Sequence, residues 1–457
     1  MKTLLKPAFL ILLVVGSFLT SCKEDSVTPV EDPQSIAALA QAEPSLSILV
    51  DALTKADLVS TFSNDGNYTV FAPTNAAFVA LLGATGQSEL DDLPVDVLTN
   101  VLKNHVLSSK VMSTDLVDGT TAKALNGENV SIGVGNEVTI SGVKVTVTDI
   151  EASNGIIHII DAVIVPESIQ PIVGTIVAPA YFNKNFTTLI AAVQAADEDI
   201  LSVLLGDGPS GNGMTLFAPT NDAFEAAGIT SLPDASTLSA VLKYHLLDAT
   251  VNSSDIADGS STAGAVGGNL YLSNNGTDGL FINGNTSVSI ANIAGSNGVV
   301  HVIDRTLVPP SNDIVATATA AGFNKLAEAL TEANLVSALQ ANGDFTVFAP
   351  TDAAFTALYT ALGVSGPSEV DDALLEDVLL YHVVSGARVF STDLSDNQEV
   401  TTLTDLSTGK FTVHLASGVS LIDNDPDFTD PNVTSANVLT TNGVIHVVDA
   451  VLIPADL

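Results

Sequence analysis

Tryptophan is absent, cysteine occurs once, and lysine and arginine together number only 14 in 457 residues. A single cysteine closes no disulfide within the chain and excludes the cysteine-rich zinc sites. Fourteen basic against 52 acidic residues leave a formal charge of −38. So acidic a surface repels nucleic acid and anionic headgroups, and it offers no basic stripe for counterion release. Nucleic-acid binding is thereby excluded. With no tryptophan and only 5% aromatic residues, cores must rest on Val, Ile, Leu and Ala. A phosphate-cradling loop is missing too. The glycine-rich stretch 206–213 lacks the Lys-Ser/Thr ending and precedes a strand pattern, so it reads as a surface loop. No serine stands in a nucleophile-elbow context.

What is present is repetition. Segments 68–78, 214–224 and 345–355 read YTVFAPTNAAF, MTLFAPTNDAF and FTVFAPTDAAF. Segments 154–166, 297–309 and 442–454 read NGIIHIIDAVIVP, NGVVHVIDRTLVP and NGVIHVVDAVLIP. Within a copy the two lie roughly 80–100 residues apart and copies recur about every 140, far above the roughly 20–50 residues of solenoid units. This is a domain period. The expected division is 35–169, 170–312 and 313–457, with 46% hydrophobic residues supplying a core for each.

Residues 1–21 form a targeting segment: Lys2 and Lys6, then the apolar run Phe9 to Leu19, too short to span a bilayer. Leu19-Thr20-Ser21-Cys22 resembles the lipobox of bacterial lipoproteins, which implies cleavage before Cys22 and its acylation. Loss of Lys2 and Lys6 takes the charge from −38 to −40. Lys23-Glu24-Asp25 resembles the export tag of surface lipoproteins of some Gram-negative bacteria, implying a cell-surface outer-membrane protein anchored by lipid. Residues 22–34, with Pro29 and Pro33, read as an extended tether.

Each copy opens with helical spacing, as in Phe323, Leu326, Ala327, Leu330, Leu335 and Leu339. A short strand follows, ended by Pro73 in the first copy. Thr74, Thr220 and Thr351 are placed to cap the next helix; Asn75, Asp222 and Asp352 sit just inside it, the aspartates suiting its dipole. A second helix ends in Asn104-His105, Tyr244-His245 or Tyr381-His382. Alternation at Val143, Val145 and Val147 marks a half-buried strand, and the apolar run from Ile156 to Val165 a central one.

The FAPT segment, the histidine at the helix end and the closing NG-[IV]-[IV]-H strand together resemble the fasciclin domain. The resemblance spans about 35–457 in three copies. It implies an α+β fold, three tandem domains each a β-sandwich or wedge with several packed helices, and a role in extracellular adhesion or matrix.

Six of the seven histidines occupy two repeated positions: His105, His245 and His382, then His158, His301 and His446. They are either three catalytic or metal-binding pairs or histidines hydrogen-bonded in each core. Spacing favours the core. His158 and Asp161, three apart in a strand, face opposite ways, and two neutral ligands without a carboxylate make a poor metal site. Tyr244-His245 and Tyr381-His382 match a pair proposed to contact integrins in some animal fasciclin domains, but Asn104 breaks the pattern and the helical face makes both pairs structural. Asp423, Asp425 and Asp427 offer oxygen ligands suited to calcium, although Phe428 and Thr434 stand where an EF-hand needs Gly and Glu. No other cofactor is implied. The expected function is non-catalytic, multivalent recognition of extracellular polysaccharide or a surface protein. The alternatives are a structural spacer in an outer-membrane assembly and, more distantly, a hydrolase.

Overall fold

In every unit the two repeated sequence segments become hydrogen-bonded neighbours. The computed structural model describes residues 33–454 except 198–199, 258, 277–278, 408, 417, 424 and 426–427. Cys22, the targeting segment and Asp427 therefore lie outside the described residues.

The strand Tyr68–Pro73 runs parallel to the closing strand Gly155–Ile160, in register from Tyr68 opposite Gly155 to Pro73 opposite Ile160. Met214–Pro219 pairs likewise with Gly298–Ile303, and Phe345–Pro350 with Gly443–Val448. Parallel neighbours need a long crossover, and here it carries two helices and most of the β half. Each closing strand also pairs antiparallel with a long strand, Val143–Ala152, Thr286–Gly295 or Val433–Thr440, through two register shifts. The β halves close differently. The first is one seven-stranded sheet, the second curls into a closed barrel, and the third divides into four- and three-stranded sheets.

Burial on both faces explains the apolar closing strand. Val70, Ala72, Ile157 and Ile159 point into a core shared with the helices, whereas Phe71 and Ile160 point into the β half. The helical cores of the first two units form one continuous cluster, while the third unit has its own. Between the first and second units, Gln87 Nε2 donates to the Pro179 carbonyl at 3.0 Å and Lys184 Nζ to the Asp91 carbonyl at 2.8 Å. The second and third units meet through polar groups and an aromatic pair, Tyr271 and Phe390, whose ring centres lie 5.5 Å apart. Asn437 Nδ2 donates to the Gly284 carbonyl at 2.9 Å, Ser273 Oγ to Asp393 Oδ1 at 2.9 Å, and the Arg388 guanidinium lies 4.9 Å from the Tyr271 ring centre.

The NG dipeptide before each closing strand locks the unit's entry. Asn154, Asn297 and Asn442 accept from the backbone N–H of Ile36, Ile176 and Ile314 at 2.9, 2.9 and 3.0 Å. Their amide nitrogens donate to two carbonyls each, Phe62 and Asn64 in the first unit. The glycine that follows has no room for a side chain: a Cβ at Gly298 would stand 1.9 Å from the Met214 carbonyl oxygen.

Replacing Asn154 by Ala leaves the Ile36 amide and two carbonyls without this partner. The helix Ile36–Ala42 should lose roughly 2–3 kcal/mol of protection, read by native-state hydrogen exchange; unchanged exchange there would contradict the assigned clamp.

Candidate functional site

The two histidines of each unit are buried side chains with chemistry to offer a substrate, and both are engaged by backbone. His105, His245 and His382 follow directly on the helices Val95–Asn104, Ala235–Tyr244 and Asp372–Tyr381. Their Nδ1 atoms lie 2.7, 2.8 and 2.7 Å from the carbonyls of Val101, Val241 and Val378. Their Nε2 atoms accept from the amides of Ile164, Leu307 and Leu452 at 2.8, 2.9 and 2.9 Å. An Nε2 that accepts must be bare, so Nδ1 carries the proton and the ring is neutral. Burial accordingly pushes all three pKa values down to about 4. Each ring ties a helix end to the chain beyond the closing strand.

His158, His301 and His446 take the opposite tautomer. Nδ1 accepts from the amides of Asp149, Asn292 and Asn437 at 3.2, 3.4 and 3.4 Å. Nε2 donates to the carbonyls of Val111, Val251 and Val389 at 3.0, 2.9 and 2.8 Å. Each ring stacks on the phenylalanine of the FAPT segment, with centroids 5.7, 5.6 and 5.3 Å apart. Asp149, Asn292 and Asn437 have φ of 61°, 63° and 63°, the left-handed conformation that Asn and Asp tolerate. They fall at register shifts of the long strand, and their side chains accept from the amides of Ser113, Ser253 and Ser391. Asp161, Asp304 and Asp449, the acids three residues on, are exposed. No imidazole nitrogen at these six positions is left for proton transfer or a metal.

The same carbonyl-to-histidine link extends to a threonine that sequence reading passed over. Thr69, Thr215 and Thr346, fully buried in the first strand, accept from the amides of Val111, Val251 and Val389 at 2.9, 2.9 and 2.8 Å. They donate to the carbonyls of Ser109, Ala249 and Ala387. The available signal was a hydroxyl repeated three times inside an apolar strand.

Thr74, Thr220 and Thr351 cap their helices, accepting from the amides of Ala77, Ala223 and Ala354 at 3.3, 3.2 and 3.2 Å. The next residue does more than complement a dipole. Asn75, Asn221 and Asp352 accept, each at 2.9 Å, from the amides of Ile48, Thr188 and Lys325 at the start of another helix. The second-unit counterpart is thus Asn221, and Asp222 is exposed one residue further on. Tyr244 and Tyr381 are buried, their hydroxyls donating to the carbonyls of Asn269 and Lys410 at 2.8 and 2.6 Å. Neither tyrosine is displayed to a partner. In the first unit Asn104 reaches the Ile164 carbonyl at 3.2 Å.

The calcium reading of the acidic loop needs correction at Asp423. This residue is 1% exposed, and its two carboxylate oxygens accept from the amides of Ile453 and Asp425 at 2.8 and 3.1 Å. Backbone N–H groups hold the place a cation would take. Burial pushes its pKa up. No cluster of three or more His, Cys, Asp or Glu positioned for a metal occurs among the described residues.

The histidines predict an acid response of known sign. With a pKa of about 4 when folded and about 6.5 when unfolded, His245 binds its proton first in the unfolded chain as pH falls. Its contribution is complete above pH 6.5 and diminishes towards pH 4, by about 1.4 kcal/mol per unit and about 3 kcal/mol in all. Unfolding at pH 7.5 and 4.5 should show this loss, and His245→Asn should flatten it for the second unit while lowering stability at pH 7.5. An unaltered slope in that variant would remove His245 as the source.

The fasciclin domain model matches residues 44–166, 184–309 and 321–454. Human periostin is 28% identical over 436 residues, covering 92% of this chain and 48% of periostin. The pig transforming growth factor-beta-induced protein ig-h3 is 28% identical over 429 residues, covering 92% of this chain and 58% of its own. The Synechocystis protein sll1483 is 38% identical over 137 residues, 30% of this chain and 76% of that protein. This chain spans about half the length of the two animal relatives. The matches cover most of the chain in three successive segments: it belongs to the fasciclin domain family.

Proposed function

We propose that the chain is a non-catalytic, multivalent adhesion protein that binds extracellular polysaccharide or a surface protein through the loops of its three units. One observation carries this reading. The buried polar side chains repeated in all three units are engaged in holding strands and helices together, so we look for recognition in what varies. The variable parts are loops such as 206–213 in the second unit and 423–430 in the third, and loops on a rigid scaffold are where binding modules place specificity. Adhesion is also the role that the fasciclin resemblance implies. Modest sites in tandem gain avidity through effective concentration, by up to roughly 10²–10⁴. Acylated Cys22 would hold the array at the outer membrane, facing outward, with the acidic surface keeping it clear of anionic headgroups.

A second reading, a spacer that holds a partner away from the membrane, is favoured by the polar network joining the second and third units.

Binding of residues 23–457 to a polysaccharide and matrix-protein array, with calcium and with a chelator, separates the two. Adhesion predicts specific binding whose dissociation slows at least tenfold as ligand density rises. Silence across the array with folded protein would leave the spacer. Cys22→Ser in the full chain should move the protein from the detergent phase to the aqueous phase, and retention in detergent would refute the lipid anchor.

A further inference from the structure

The first and second units meet at a cleft of about 230 Å³ that none of the repeated framework contacts fills. One wall is the start of the helix Val95–Asn104, with Asp96 and Val97; the other is the helix Ala178–Tyr181 and one face of Thr187–Ala195, with Tyr181, Ile190 and Gln194. Its rim is fixed. Asn183 Nδ2 donates to Gln87 Oε1 at 2.9 Å, Gln87 Nε2 to the Pro179 carbonyl, and Lys184 Nζ to the Asp91 carbonyl. The Tyr181 ring packs edge-on against Phe182, centroids 5.3 Å apart. A cleft held by such contacts is formed before any ligand arrives, which lowers the ordering cost of binding.

Its lining selects a chemical class. Asp96 and Gln194 are exposed and Tyr181 is half-buried. All three face the cleft without a hydrogen-bond partner among the described residues. Together they offer carboxylate acceptors, an amide that donates and accepts, and a phenol donor. Val97 and Ile190 lie among them, and the tyrosine ring adds an apolar face with a polar tip. Burial, then the charges of Asp96 and Glu128, push the Tyr181 pKa up, so the phenol stays a donor. A wholly apolar ligand would desolvate Asp96 and Gln194 without replacing their hydrogen bonds. An anionic ligand would meet Asp96 inside a chain of charge −38. The volume falls just below the roughly 300–1,000 Å³ typical of drug-sized ligands, so it suits a single ring with its substituents. A pyranose has this complement: a C–H face, and edge hydroxyls that both donate and accept.

We propose that the cleft between the first and second units binds a neutral sugar residue of an extracellular polysaccharide, with Tyr181 against the ring and Asp96 and Gln194 on its hydroxyls. This rests on the adhesion reading and names the ligand of one of its sites. Pocket placement at a unit boundary also follows the common location of ligand sites.

The test titrates residues 23–457 with neutral hexose and pentose oligosaccharides, with oligogalacturonate as the anionic control, followed by NMR and calorimetry. Tyr181→Ala should weaken binding of the neutral oligomer at least tenfold. Asp96→Ala and Gln194→Ala, at exposed positions that leave the fold intact, should each weaken it several-fold, and oligogalacturonate should not bind. Neutral binding unchanged in all three variants, or equal binding of the anionic oligomer, overturns the site. Should the chain adhere to the array while these variants behave as wild type, the cleft assignment fails and adhesion stands. Should it bind nothing on the array, both fail.

Discussion

Every unit depends on the parallel pairing of its first strand with its last. Those strands are separated by most of the unit's sequence, so their pairing closes a long loop of intervening helices and strands. Loop closure of that length carries an entropic cost, offset by apolar burial on both faces of the closing strand and by buried polar links. The threonine of the first strand, the valine after the crossover helix and the histidine of the last strand form one continuous chain of hydrogen bonds. The second histidine binds the helix end to the chain leaving the closing strand. Low local dielectric strengthens such links and makes a missing partner costly, which gives the repeated polar residues a structural reason to be where they are.

This arrangement also bears on function. A module whose imidazoles, threonines and asparagines are engaged by its own backbone presents other atoms to the outside. The surface is left to loops and to boundaries between units, where composition differs from copy to copy. Repetition of the frame and variation of the rim belong to one design: a common scaffold that carries unlike faces.

Much of the fold was legible because its signals were local. Helical spacing, the Thr-capped turn after Pro73 and the apolar run of the closing strand each lie within a few residues. The resemblance of the FAPT and NG-H segments to the fasciclin domain joined them into an α+β frame. Contacts spanning long stretches of chain were not legible. The NG dipeptide stands in the sequence only as the start of a repeated strand motif, yet Asn154 reaches back to Ile36. Thr69 reads as an ordinary strand former, and nothing local reveals that it accepts from Val111. The helical face placed Tyr244 and Tyr381 near the apolar side, but only the three-dimensional structure supplies Asn269 and Lys410 as partners for their hydroxyls. The loop at Asp423 misled because carboxylate spacing carries no mark of the amides that satisfy it. Closure of the second β half into a barrel was equally invisible, since strand patterns repeat whether or not the edges meet.

The clamp at the NG dipeptide decides where mechanical load travels. Chain enters each unit beside its closing strand: the Ser153 amide donates to the Gln34 carbonyl at 2.9 Å, Ser296 to Gly174 at 2.7 Å and Thr441 to Asn312 at 2.9 Å. In the first two units the chain leaves at the far end of that strand towards the next. Tension applied between the ends of such a unit is therefore transmitted along the closing strand, loading its lateral hydrogen bonds in shear and together. The helices and the remaining strands stand aside from the line of force, so a pulled unit can stay folded while one six-residue strand bears the strain.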